Sequence, residues 1–85
     1  MTTATVPSKP RIRWMCRRGM KELDVILEKF FAADFDSLND TEVAAFVALL
    51  ELEDPDLNAV MLGKQPPATT DIAHVLERIR SHAGY

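Results

Sequence analysis

Apolar side chains recur along this chain with the period of a helix. Leu23, Ile26, Leu27 and Phe30 stand at i, i+3, i+4 and i+7, with Phe31 widening the stripe, which predicts an amphipathic helix over about residues 21–33. Val43, Phe46, Val47 and Leu50 repeat the pattern in a helix running to about residue 52. There Ala44, Ala45, Ala48 and Leu49 fill much of the remaining surface, so this helix is expected to be the most buried element. Leu57, Val60 and Met61 predict a short helix ended by Gly63; Ile72, Val75, Leu76 and Ile79 predict a last one whose end Gly84 marks. Ahead of these, Ile12, Met15, Cys16 and Gly19 share one side of a helix from Arg11, opposite Arg11, Arg13, Trp14, Arg17 and Arg18. Residues 1–10, rich in Thr and with Pro7 and Pro10, lack periodicity and are expected to form a disordered tail. No segment alternates as a strand would. The expectation is all-α: a five-helix bundle in one small domain, residues 11–85, behind the tail.

Turn and cap signals sharpen these boundaries. Asp34-Phe35-Asp36-Ser37 interrupts the second helix. Asn39 and Glu42 have capping-box spacing, and Leu38 with Val43 the spacing of a hydrophobic staple. Asp54-Pro55-Asp56 is an acidic cap with proline at the first helical position, Pro66-Pro67 marks a loop, and Thr69-Thr70-Asp71 opens the last helix. Gly19, between two helical patterns, is a natural left-handed residue. Arg18 and Glu22 flank it, where a cation suits the end of one helix and an anion the start of the next.

Composition limits the functions available. Eighty-five residues, 47% hydrophobic, build one modest core. Neither a membrane span nor a secretion signal is present in the sequence, so a cytoplasmic protein is expected. Cys16 is the only cysteine and reads as a small buried apolar residue; His74 and His82 lack zinc-ligand spacing and read as solvated. With no phosphate loop, nucleotide fingerprint or nucleophile-base set, an enzyme is not indicated.

The net charge of −3 is unevenly spread. Lys9, Arg11, Arg13, Arg17, Arg18 and Lys21 follow one another with no acid among them, whereas residues 22–62 hold eleven acids and only Lys29 to answer them. Such a two-sided surface orients a partner. Trp14 shares its helical face with four arginines, an arrangement that serves packing on their stems or contact with a partner. A basic helix carrying an aromatic also suits nucleic acid, but the chain as a whole is acidic and has no recognition module, so no nucleic-acid partner is expected.

These residues carry a family resemblance. The run from Arg11 to Asp24, then Phe30-Phe31, Phe35-Asp36-Ser37-Leu38, Glu42, Leu49-Leu50-Glu51 and Asp54-Pro55-Asp56-Leu57, resembles the small FAD assembly factors of succinate dehydrogenase, bacterial and mitochondrial. That family has an Arg-Gly-x-x-Glu motif, met here by Arg18-Gly19-Met20-Lys21-Glu22, and the likeness covers roughly residues 11–63. It implies a compact helical protein that binds the flavoprotein subunit of succinate dehydrogenase, and often of fumarate reductase, and promotes covalent attachment of FAD to a histidine of that subunit; the five capped amphipathic segments lead us to expect a monomer. The FAD is then the partner's cofactor and none is stably bound by this chain; direct contact with FAD stays open. The resemblance places partner binding at Arg18, Gly19 and Glu22, with Arg17, Trp14 and Asp24 beside them. Where the family commonly follows Asp-Pro-Asp-Leu with an aromatic, this chain has Asn58-Ala59-Val60-Met61. An interaction module of antitoxin type is the alternative reading.

Overall fold

Five α-helices are present in a computed structural model of the chain, which describes residues 7–83. They are α1 (Lys9–Met15), α2 (Lys21–Asp34), α3 (Asp40–Leu50), α4 (Asp54–Met61) and α5 (Thr70–Ala83), with a single 3₁₀ turn at Phe35–Ser37. No strand occurs among the described residues.

Burial follows the apolar periodicity. Helix α3 buries Ala45, Phe46, Val47, Leu49 and Leu50, five of its eleven residues, whereas α2 buries four of fourteen. Phe46 and Phe30 meet with ring centroids 5.5 Å apart, and Phe35, stacked on Phe31 at 4.6 Å, joins the same aromatic group. Helix α5 packs chiefly on α3 and also on α2, and its Ile72, Val75, Leu76 and Ile79 close the core. Each such side chain taken fully from water contributes on the order of 1.5–3 kcal/mol.

The local signals read from sequence account for several boundaries. Asn39 Oδ1 accepts from the Glu42 amide at 2.8 Å while Glu42 Oε1 accepts from the Asn39 amide at 2.9 Å, a complete capping box at the start of α3. Thr69 Oγ1 accepts from the Ile72 amide at 3.1 Å and starts α5. Gly63, at φ +78°, lies just beyond α4. The carboxyl end of α4 is closed by α5, whose Arg80 donates from Nε to Met61 O at 3.0 Å and from Nη2 to Val60 O at 2.7 Å.

Three expectations need correction. Lys9 and Pro10, placed in the tail by the sequence, form the first turn of α1, because Ser8 supplies a carbonyl for the Ile12 amide and proline needs no donor there. Of the rest of that tail, Pro7 and Ser8 precede the helix, and residues 1–6 lie outside the described residues, as does Gly84. Helix α1 ends at Met15 rather than near Gly19, its last turn tightening as the Cys16 and Arg17 amides reach back only to Arg13 O and Trp14 O. At the start of α4 the capping position belongs not to Asp54 but to Glu53, whose side chain makes no capping bond; Asp54 is already helical, and Pro55 is the second helical residue and not the first.

Candidate functional site

The turn between α1 and α2 is organised by Arg18. Had α1 continued, Arg18 would stand one turn above Trp14 on the solvent side. Instead its side chain runs inward and is only 14% exposed. Nε donates to Asp54 Oδ1 at 2.9 Å, Nη1 to Met15 O at 3.2 Å and also to Leu50 O, and Nη2 to Leu52 O. One guanidinium thus closes the carboxyl ends of α1 and α3 and pairs with the first turn of α4. Charge-assisted bonds of this kind, at carbonyls bearing the negative end of a helix dipole, exceed what the forfeited last turn of α1 would supply. The sequence reading of Arg18 as a helix-end cation is met, and most of its partners lie on another element.

Asp24 secures the backbone of the same turn. Its Oδ1 accepts from the Arg18 amide at 2.6 Å and its Oδ2 from the Gly19 amide at 3.3 Å. Gly19 has φ +80°, and a Cβ built there would meet nothing within 4 Å. Glycine is therefore required by backbone conformation and not by lack of room.

Glu22 differs from its neighbours. It lies in the first turn of α2, is exposed, and has no hydrogen bond or ion pair among the described residues. With Met20, Lys21, Leu23, Ile26, Asn58, Met61 and Leu62 it lines a groove of about 400 Å³ between the start of α2 and α4. Leu62 is 50% exposed on that wall. Asn58 also stands there, so the position following Asp54-Pro55-Asp56-Leu57 faces this groove.

Trp14 and Arg17 meet elsewhere. They line a separate cleft with Pro10, Arg13 and Glu28, and Trp14 is 67% exposed. Arg11, Arg13 and Arg17 are exposed and unpaired among the described residues. The six residues singled out by sequence therefore divide: Arg18, Gly19 and Asp24 form one hydrogen-bonded turn, Trp14 and Arg17 share a cleft, and Glu22 rises from a groove. Asp54, Leu62 and Asn58 were not singled out. Asp54 carries a helix-start signal and is part of the family resemblance, and Asn58 is the position where the family's aromatic is missing; for Leu62 the one signal is an apolar residue next to Gly63 and outside the stripe of Leu57, Val60 and Met61.

Cys16, beside the turn, is not a reactive thiol. Its side chain is fully buried and the thiol is pushed up to about 12, mainly by burial and secondarily by the nearby Glu28 carboxylate. No group of three or more metal-ligating His, Cys, Asp or Glu side chains occurs among the described residues.

Comparison with known proteins matches residues 10–83 to a family described as flavinator of succinate dehydrogenase. This reaches past the motif-bearing residues to include α5. The chain is 46% identical over 78 residues, covering 92% of it and 91% of the relative, to the FAD assembly factor SdhE of Vibrio cholerae serotype O1. It is 41% identical over 76 residues, covering 89% of it and 86% of the relative, to the FAD assembly factor SdhE of Yersinia pseudotuberculosis serotype I. With the protein of that name from a Serratia strain it shares 38% identity over 76 residues.

Proposed function

We propose a function from one premise: the chain belongs to the family of succinate dehydrogenase flavinators, a family of assembly factors and not of enzymes. It binds the flavoprotein subunit of succinate dehydrogenase and promotes covalent attachment of FAD to that subunit. The reading extends to the flavoprotein subunit of fumarate reductase. It has the chain acting as a cytoplasmic monomer that inserts in no membrane and takes no nucleic acid. FAD is the cofactor of the partner, and the acceptor histidine is the partner's too.

Glu22 is the observation that carries this reading. An exposed carboxylate without a partner, on the rim of a partly apolar groove and beside a turn fixed by hydrogen bonds, suits contact with another protein better than it suits stability. Trp14, with its arginine neighbours, supports a second contact area; Gly19 and Arg17 join these surfaces, while Arg18 and Asp24 shape the turn behind them. A factor of this kind accelerates a reaction by positioning. Holding a mobile flavoprotein where its own histidine meets the flavin converts a rare arrangement into a standing one, and needs no reactive group on the factor.

The test is covalent flavin fluorescence of the dehydrogenase flavoprotein subunit after denaturing electrophoresis, in cells lacking this chain and in cells resupplied with it. The expected result is a flavin signal that falls without the chain and returns with it. An equal signal in both, at equal amounts of the subunit, contradicts the proposal.

A further inference from the structure

We infer that Asp54 is a positioning residue: acting through the Arg18 guanidinium, it fixes the Arg17–Met20 turn against the α3–α4 junction and so sets where Glu22 stands. This rests on the docking reading above and adds to it a residue on a different helix, 36 positions from Arg18.

The turn is held from two sides. Asp24 takes the backbone amides of Arg18 and Gly19, and Asp54 takes the side chain of Arg18. Between these anchors the chain passes through Met20, the N-cap of α2, directly into Lys21 and Glu22. The direction of Glu22 therefore follows from the turn. Among the described residues Asp54 is the only ion-pair partner of Arg18, whose other side-chain bonds go to the carbonyls of Met15, Leu50 and Leu52. Carbonyls orient a guanidinium but do not neutralise it. Both charged groups are partly covered, Arg18 at 14% and Asp54 at 36% exposure, so removing the carboxylate leaves a poorly hydrated cation that gains by swinging outward. That motion drags the Arg18 amide from Asp24 and loosens the connection to Glu22. A supporting shell that slackens by about 1 Å can cost as much as 100-fold at a site it positions.

Helix α4 supplies its own control. Asp56 lies in the same first turn as Asp54, offers the same charge to the helix amino end, and makes no bond to Arg18. A role confined to stabilising α4 predicts like effects from Asp54→Ala and Asp56→Ala. Positioning predicts unlike ones.

The experiment combines amide hydrogen exchange of the free variants with affinity for the purified flavoprotein subunit of succinate dehydrogenase. Asp54→Ala is expected to speed exchange at Arg18 and Gly19 and to weaken binding about tenfold or more, and Asp56→Ala to do neither. Combined with Glu22→Ala, Asp54→Ala should add little to the loss that Glu22→Ala causes alone, because both act on one contact. Should Asp54→Ala fold poorly, Asp54→Asn keeps the shape and an acceptor while removing the charge, and is expected to show the same two changes in smaller degree. Unchanged exchange at Arg18 and Gly19, or losses from Asp54→Ala and Glu22→Ala that simply multiply, overturn the inference. A Glu22→Ala variant that binds as tightly as the parent overturns the docking reading instead, and the exchange data then decide whether Asp54 holds the turn.

Discussion

Gly19 and Cys16 show how differently two adjacent parts of one turn are constrained. Because a Cβ at Gly19 meets nothing, the cost of Gly19→Ala is the cost of a left-handed backbone, about 1–2 kcal/mol. Thermal melts should register this as a lower Tm, with Gly19→Asn falling less because asparagine tolerates that region. Equal Tm values for the parent and Gly19→Ala would contradict it. Cys16 is constrained by burial. Its folded thiol titrates near 12 against an ordinary 9.0, so below pH 9.0 it is neutral in both states; above that only the unfolded chain ionises, and stability falls as pH rises towards 12. At about pH 8 its alkylation should be slow and should track unfolding, since the thiolate is the reacting form. Rapid alkylation of fully folded protein would refute this. The left-handed glycine and the buried cysteine were both legible in the sequence, being local choices. The course of Arg18 was not, because the partners that turn it inward stand 32 to 36 residues away.

At the scale of elements, legibility followed the range of the forces. The capping box of α3 is a contact over three residues, and its two side chains declared it. Asn39→Ala should cost about 1 kcal/mol, measured by denaturant unfolding. The Glu42 carboxyl is held below its ordinary 4.5, first by the Asn39 backbone amide and then by the Arg78 guanidinium of α5 at 3.1 Å. A lowered folded value means that the charged form supports the fold. Its contribution is complete at neutral pH and fades as pH falls below 4.5 through the folded value. The Tm gap between the parent and Glu42→Gln should therefore narrow on acidification; a gap independent of pH would show that the charge contributes nothing. The early end of α1 was hidden for the same reason as Arg18. Apolar periodicity continues through Cys16 and Gly19, and only a tertiary demand, the open carbonyls of α3, competes with it.

The whole molecule joins a helical core that the sequence announced to a surface that it described only in part. Basic α1 and the acids that follow it were visible as charge blocks, but the division of the candidate residues between a turn, a cleft and a groove needed three dimensions. If the α1 surface docks a protein, Trp14 emission should change on adding the flavoprotein subunit and stay unchanged with duplex DNA at physiological salt. A response to DNA that weakens as salt rises would mark α1 as a phosphate-binding helix. The central claim is that Glu22 serves docking and not stability, and the most direct measurement is made on Glu22→Ala: its Tm in purified form beside the covalent flavin it supports on the dehydrogenase subunit in cells. As an exposed, unpaired first-turn acid, Glu22 contributes at most about 0.3–1 kcal/mol through the helix dipole, so Tm should fall by no more than about 8 °C and the variant stay folded at growth temperature, while flavinylation falls more than tenfold, the consequence of losing a few kcal/mol at an interface. A variant that melts like the parent and supports full flavinylation would contradict the account.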